Sequence, residues 1–98
     1  MKRIKILAIC GFGVGTSLIL RMNLEKVLKE NQLEADVEHI DMTSAVGMQT
    51  DLVVTSKEIA GEIKSGFSVP IIIIENFMNL EEIKEKCVDT IRTMQSNV

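Results

Sequence analysis

The amino-acid sequence predicts a single α/β domain, residues 1–98, with a four-stranded parallel sheet of order 2-1-3-4 and helices on both faces. Short β-like runs alternate along the chain with segments of helical period, which is typical of consecutive βαβ units. The apolar runs 53–54 and 71–74 are continuous rather than alternating, as expected for strands covered on both faces. A length of 98 residues with 46% hydrophobic content suits one compact core.

Seven elements are predicted in order along the chain. The strands are expected at about 3–9, 35–40, 51–55 and 70–74, and the helices at about 15–31, 56–64 and 79–95. The second strand alternates apolar and polar residues, so it is expected at an edge of the sheet. The connection 41–50 is the only one with room to be mobile.

The starts of the second and third predicted helices carry capping signals. The run Thr55-Ser56-Lys57-Glu58 fits a capping box, and Asn79 can cap the last helix. Glu81, Glu82 and Glu85, with their lysine neighbours, are interpreted as a solvated helix face. Right-handed crossovers bring the segments that follow the strands to one end of the sheet, where open parallel sheets bind ligands.

Composition excludes several classes of function. The net charge of −3 and the scattered lysines and arginines argue against a nucleic-acid surface. Met1-Lys2-Arg3 resembles the start of a signal peptide, but the apolar run that follows ends early at a Cys-Gly turn without an A-x-A cleavage pattern. The run 71–74 is far too short to span a membrane. We therefore expect a cytoplasmic protein with no membrane insertion.

The two cysteines, Cys10 and Cys87, are far apart and form neither a C-x-x-C redox pair nor a metal knuckle. Both are expected to be reduced thiols, and no metal site is predicted. Cys87 belongs to an inward stripe of the last helix and is expected in the core; the stripe is Leu80, Ile83, Cys87, Ile91 and Met94. His39, the only histidine, is interpreted as a solvated or cross-strand residue rather than a phosphoryl relay.

Cys10 ends the first apolar run and is the strongest candidate for chemistry. It precedes a glycine-rich segment that leads into a helix: Gly11, Phe12, Gly13, Val14, Gly15, Thr16 and Ser17. A dinucleotide fingerprint would need glycine where Thr16 stands, and a Walker A loop would need a lysine that is absent. The remaining candidate is a cysteine phosphate-binding loop, in which backbone N–H groups from Gly11 to Ser17 surround the sulfur and the phosphoryl oxygens. Such a site favours the thiolate and makes Cys10 a nucleophile.

Tyrosine phosphatases also place a thiol at the head of such a loop. Their C-x5-R pattern ends in an arginine that binds the phosphoryl oxygens, and here that position is Thr16. The Asp-Pro pair that supplies the general acid in small phosphatases is also missing, since the only proline, Pro70, follows Val69. Without arginine and acid, hydrolysis of a phosphocysteine would be slow, which favours a carrier over a phosphatase.

Three segments resemble the IIB component (EIIB) of the sugar phosphotransferase system (PTS). They are Ile6-Leu7-Ala8-Ile9-Cys10 with the following loop to Ser17, Ile59-Ala60-Gly61-Glu62-Ile63, and Asn76-Phe77-Met78-Asn79. The chain is most similar to the ascorbate type, which is related to the galactitol and lactose/cellobiose types. The resemblance implies that Cys10 accepts phosphate from a phosphohistidine of the IIA component (EIIA) and passes it to a sugar, L-ascorbate, held by the membrane component IIC (EIIC).

The resemblance also implies that no metal or organic cofactor is needed and that the protein meets the membrane only through EIIC. Thr16 and Ser17 are further candidate donors to the phosphoryl group, and Phe12, Phe77 and Met78 are candidate docking residues for EIIA or EIIC. Two other classes stay open. One is a thiol phosphatase or arsenate-reductase-like enzyme, and the other is a regulatory domain that signals through phosphocysteine.

Overall fold

The structure, a computed structural model, describes residues 3–10, 14–45, 47–63 and 66–96. Within these ranges it contains four strands and four helices: β1 (Ile4–Cys10), α1 (Val14–Glu30), β2 (Ala35–Asp41), α2 (Met42–Ala45), β3 (Leu52–Thr55), α3 (Lys57–Ile63), β4 (Ile71–Ile73) and α4 (Leu80–Ser96). The predicted elements are all present. Their bounds differ from the predicted ones by no more than one residue at either end.

The four strands form one parallel sheet of order β2-β1-β3-β4, which confirms the predicted topology. β1 is a central strand, paired with β2 on one side and β3 on the other. Ile9 lies opposite both Ile40 and Thr55, and Cys10 lies opposite Asp41. The edge position predicted for the second strand is also confirmed.

Helices cover both faces of the sheet because the side chains of β1 alternate between two buried clusters. Ile4, Ile6 and Ala8 pack with residues of α1 and α4, including Leu24 and Ile83. Leu7 and Ile9 pack instead with α2 and α3 through Ala45, Ile59 and Ile63. The prediction of helices on both faces is therefore confirmed, and every β1 side chain from Ile6 to Ile9 is fully buried.

The connection 41–50, predicted as a loop, contains the short helix α2. The Asp41 carboxylate accepts a hydrogen bond from the Ser44 N–H at 2.8 Å, which caps this single turn. Ala45 is fully buried, and Met42 and Met48 pack against the same cluster. Four residues are too few to show helical periodicity in a sequence. The local signal for α2 is Asp41, because aspartate is a favoured residue at a helix N-cap.

The predicted capping box at Thr55 is wrong by one residue. Thr55 is the last residue of β3 and fully buried, while the Ser56 carbonyl accepts the first helical hydrogen bond of α3, from the Ala60 N–H at 2.9 Å. The Ser56 hydroxyl, at 3.4 Å from the Ile59 nitrogen, takes the capping position. Sheet pairing between Thr55 and Ile9 accounts for the shift, because it keeps Thr55 in the strand.

The structure shows the surroundings of both Cys87 and His39. Cys87 is fully buried in the α1–α4 layer, as predicted, and burial raises the pKa of its thiol to about 12. His39 is half-buried, and its Nδ1 accepts a hydrogen bond from Arg21 Nη1 at 3.1 Å. His39 thus stays partly exposed on the edge strand, which agrees with the prediction of a solvated residue, and its hydrogen-bond partner Arg21 comes from α1, which packs along β2.

Candidate functional site

Cys10 is the carboxyl-terminal residue of the central strand β1. Because all four strands are parallel, the chain segments that follow them emerge at the same edge of the sheet. Its neighbours at this edge are Asp41 at the end of β2 and Thr55 at the end of β3, which is paired with the preceding Ile9. The candidate nucleophile therefore stands at the middle of the edge where ligands bind in this class of fold.

The predicted phosphate-binding loop falls partly outside the described part of the chain. Gly11, Phe12 and Gly13 lie outside the described residues, and of the rest the structure describes the backbone element only: Val14, Gly15, Thr16 and Ser17 begin α1. Three residues separate β1 from α1, so the first helical residue lies within about 14 Å of Cys10 even if the chain between them is fully extended. The loop prediction stays a prediction.

The amino terminus of α1 has no acidic residue that would offset the positive end of the helix dipole. The helix is 17 residues long, and its first turn contains no acidic residue. Aligned peptide dipoles place roughly half a positive charge at such a terminus, together with N–H groups that have no partner within the helix. The end of α1 that faces the Cys10 segment is therefore suited to an anion, and none of the chain's own carboxylates occupies its first turn.

Thr55 fixes the strand ends beneath this edge. Its buried hydroxyl donates to the carbonyl oxygen of Ile9 at 2.7 Å, directly before Cys10 in the chain. A buried hydroxyl costs free energy unless it is hydrogen-bonded, so this contact favours one relative position of β1 and β3. Sequence reasoning assigned Thr55 to a helix cap and missed this role.

Asp41, the register partner of Cys10, has its carboxylate engaged by the backbone of α2. The pKa of Asp41 is lowered, chiefly by the hydrogen bonds from Ser44. Asp41 is thus ionised at neutral pH and stabilises the first turn of α2. The contacts described for Asp41 are with α2. None of them brings its carboxylate to Cys10 as a proton donor or acceptor.

The segment 74–79, here called the β4–α4 loop, lies at the same edge and contains Phe77 and Met78. Phe77 is half-buried against the α1–α4 layer, whereas 68% of Met78 is exposed. The Asn23 Nδ2 of α1 donates to the Phe77 carbonyl oxygen at 2.6 Å. The structure therefore places both predicted docking residues beside α1, and Phe12 lies outside the described residues.

Exposed apolar side chains continue from this loop onto α1. Leu18, Ile19 and Met22 are 40%, 41% and 59% exposed, and with Met78 they form what we call the apolar patch. A groove of about 340 Å³ runs between the two elements; it is lined by Ile19, Ser56, Glu75, Asn76, Phe77 and Met78. Groups of large exposed apolar side chains are typical of protein-interaction surfaces.

The β4–α4 loop is held by a side chain that sequence reasoning placed on a solvated helix face. Glu82 Oε2 accepts from the Glu75 N–H at 2.6 Å and from Lys86 Nζ at 2.7 Å, and its Oε1 accepts from the Asn76 N–H at 3.0 Å. These contacts, first of all the one from Lys86, lower the pKa of Glu82. The interpretation of Glu82 as simply solvated is therefore wrong, and its place three residues after Asn79 was the available signal.

Two further searches concern metals and membranes. In the described ranges, no three His, Cys, Asp or Glu side chains are grouped so that they could hold a metal ion. Among the helices described, none combines the length and the apolar character that crossing a bilayer requires.

Comparison with known proteins identifies the family. The family model for the lactose/cellobiose-specific IIB subunit of the PTS matches residues 5–87. The ascorbate-specific PTS EIIB component of Mycoplasma pneumoniae is 33% identical over 86 residues, which cover 86% of this chain and 90% of that protein. The component of the same name from Shigella sonnei is 27% identical over 95 residues, with 91% and 90% covered.

A solved structure agrees with the fold. The lactose-specific IIB domain of the Streptococcus pneumoniae PTS matches with a TM-score of 0.62 at 14% identity, over 97% of each chain. The match of the family model to most of the chain decides the assignment. This chain belongs to the lactose/cellobiose-type IIB family and is a phosphoryl-transfer component of a sugar phosphotransferase system.

Proposed function

We propose that Cys10 is the phosphorylated residue of this IIB protein, and that residues 1–98 act as one domain that carries a phosphoryl group from EIIA to a sugar bound by EIIC. The observation that supports this most is the position of Cys10. It ends the central strand, three residues before a 17-residue helix whose first turn has no acid.

The reaction consists of two in-line displacements at phosphorus. In the first, the Cys10 thiolate attacks the phosphohistidine of EIIA; the S–P bond forms, the P–N bond breaks, and its electron pair stays on the imidazole nitrogen. In the second, a sugar hydroxyl attacks the phosphocysteine, loses its proton to a base of the membrane component, and expels the thiolate. The backbone N–H groups at the start of α1 offset the phosphoryl charge in both steps.

The same residues favour transfer over hydrolysis. Thr16 stands where a thiol phosphatase has its arginine, and the Asp41 carboxylate is engaged by Ser44. Hydrolysis of phosphocysteine would thus lack the arginine of a thiol phosphatase, and Asp41 is not assigned as a base for the attacking water. The backbone N–H groups from Gly11 to Ser17 and the hydroxyls of Thr16 and Ser17 are proposed as donors to the phosphoryl oxygens, with no metal or organic cofactor.

L-Ascorbate is the proposed sugar. The Mycoplasma pneumoniae and Shigella sonnei relatives are both named ascorbate-specific EIIB components, and the alignments cover most of this chain. The sugar itself is held by EIIC, so the proposal for this chain concerns which EIIA and EIIC it recognises. Recognition is assigned to the apolar patch with Phe77 and Phe12, and the protein is expected in the cytoplasm, at the membrane only through EIIC.

Phosphoryl transfer from labelled phosphoenolpyruvate tests the proposal. The protein is incubated with the general phosphotransferase proteins and the EIIA of an ascorbate system, followed by membranes containing the matching EIIC and L-ascorbate. We expect label on the wild-type protein and then on ascorbate, no label on Cys10→Ser, and normal label on the matched control Cys87→Ser. Label retained in Cys10→Ser would contradict the proposal, and steady turnover of an aryl phosphate or of arsenate would favour a phosphatase or reductase.

A further inference from the structure

We propose that Asn23 and Glu82 are positioning residues for phosphoryl transfer, because they hold the β4–α4 loop against α1 and so prepare the surface on which phosphorylated EIIA docks. The inference rests on the proposed function, since it concerns the donor of that reaction. Neither side chain is part of the Cys10 loop, and neither is expected to touch the phosphoryl group.

Asn23 joins two segments that are distant in the chain. It lies within α1, yet its Nδ2 donates to the Phe77 carbonyl oxygen, 54 residues away, at 2.6 Å. Asparagine is a poor residue for the interior of a helix, so its local cost is offset here by a tertiary hydrogen bond. Ile19 lies one helical turn before Asn23 and lines the groove that Met78 also lines. The hydrogen bond therefore sets the distance between the two walls of the groove.

Glu82 holds the other end of the loop. Only 14% of its side chain is exposed, and its two oxygens accept hydrogen bonds from the amides of Glu75 and Asn76 and from Lys86 Nζ. Lys86 Nζ also donates to the Ile73 carbonyl at the end of β4, at 3.0 Å. The chain leaving β4 is thus bound by an ionised carboxylate and an ammonium group, and hydrogen bonds to charged partners are the stronger kind.

Asn76 orders the residues between these two anchors. Its Oδ1 accepts from the Met78 N–H at 2.9 Å, and its carbonyl accepts from the Asn79 N–H at 3.0 Å. The backbone of Met78 is therefore fixed while its side chain is 68% exposed. A protein that binds Met78 does not have to order the backbone that carries it, which strengthens association without changing the chemical step.

The partner that fits this surface has an apolar contact area and carries the phosphohistidine. The apolar patch and the groove lie along α1, whose first turn follows the Cys10 segment, so a donor seated on them brings its phosphoryl group to that edge. Loss of the anchors should weaken donor binding and leave transfer within the bound complex nearly unchanged.

Steady-state transfer from phosphorylated EIIA to Asn23→Asp, Asn23→Ala and Glu82→Gln tests this inference. Asn31→Ala is the matched control, because Asn31 is also a half-buried asparagine and its Nδ2 donates to a backbone carbonyl, that of Val27, at 2.8 Å at the other end of α1. We expect KM for phosphorylated EIIA to rise about 5- to 20-fold in the Asn23 and Glu82 variants, with kcat within about twofold of wild type. The control should keep both constants within about twofold, even where it loses as much thermal stability as Asn23→Ala.

Amide hydrogen exchange of the free, unphosphorylated variants gives a second readout. Exchange at residues 76–78 should accelerate in Asn23→Ala and Glu82→Gln but not in Asn31→Ala. The inference is overturned if KM stays at the wild-type value in Asn23→Asp and Glu82→Gln, or if Asn31→Ala raises KM equally. Failure of the proposed function has a different signature, namely absence of label on Cys10 in the wild-type protein, and the inference would then fall with it.

Discussion

The two long helices, α1 and α4, differ in the charge of the residues at their amino termini. Both are 17 residues long, both follow a strand at the same edge of the sheet, and both pack into the same buried layer. At α4 the Asn79 Oδ1 accepts from the Glu82 N–H at 3.2 Å, and Glu81 and Glu82 occupy the first turn. The first turn of α1 has no acid and is preceded by the Cys10 segment.

The difference indicates which helix end is reserved for an external anion. Acids at a helix amino terminus typically stabilise it by about 0.3–1 kcal/mol each, and α4 uses this effect for its own stability. The first turn of α1 has no acid, which leaves its positive end available to the phosphoryl group that we propose on Cys10. Both helices begin at the same edge of the sheet. The acids in the first turn of α4 repel a phosphate there, so a phosphate is expected to bind at α1.

The largest effect is expected when α1 is made to resemble α4. Thr16→Glu introduces a carboxylate into its first turn, where it repels the phosphoryl group, so transfer to Cys10 should fall by roughly tenfold to a hundredfold. The rate of labelling by phosphorylated EIIA measures this. Thr16→Gln, the uncharged control, should lose far less, and equal losses in the two variants would contradict the electrostatic explanation.

Cys87 provides a comparison between the two thiols. Cys87→Ser buries a hydroxyl in an apolar layer and should lower the free energy of unfolding by about 1–3 kcal/mol in urea titration, while labelling of Cys10 persists. Because burial raises the pKa of Cys87 to about 12, this thiol should also resist iodoacetamide at pH values near neutrality in the folded protein. Alkylation of Cys87 at the rate of Cys10 would contradict the assignment of Cys87 to the core.

A moderate effect is expected at the cap of α4. Asn79→Ala removes the acceptor for the Glu82 N–H and should lower the free energy of unfolding by about 1 kcal/mol. Chemical denaturation measures the change, and Asn79→Ser, which can still cap, is the control. A loss in Asn79→Ser as large as that in Asn79→Ala would show that the cap is not responsible.

The smallest effect concerns acid stability. The pKa of Glu82 is lower in the folded protein than its ordinary value of 4.5, chiefly through Lys86, so the unfolded chain binds a proton more readily. Its stabilisation is therefore complete above about pH 4.5 and is lost as the pH falls through the lower folded-state pKa. Glu82→Gln should lower Tm slightly at neutral pH and approach the wild-type Tm in acid. A constant difference from neutral pH into strong acid would contradict this.

The fold was predictable because its signals are local or periodic. Continuous apolar runs identified buried strands such as β3, and the stripe through Cys87 identified the inner face of α4. The place of Cys10 at the end of β1 followed from the apolar run and the glycines after it. The helix α2 was missed because one turn has no period, and Thr55 was misassigned because its strand pairing is decided by β1 rather than by its neighbours.

The parts of the site that were not predictable depend on contacts between distant residues. Asn23 reaches Phe77 across 54 positions, and no local pattern indicates this hydrogen bond. Glu82 is a charged residue of a type that is usually exposed. It accepts hydrogen bonds from the Glu75 and Asn76 amides only because the chain that leaves β4 passes close to α4. Tertiary structure therefore adds the contacts that hold the β4–α4 loop, whereas the sequence already indicates the candidate nucleophile.

Mass spectrometry of the phosphorylated protein, under conditions that preserve a labile S–P bond, tests the proposed role of Cys10 most directly. After incubation with phosphoenolpyruvate, the general phosphotransferase proteins and EIIA, we expect one phosphoryl group, on the peptide containing Cys10. Cys87 serves as an internal control because its thiol is buried. A phosphoryl group on His39, on Cys87 or on a hydroxyl residue, with Cys10 unmodified, would contradict it.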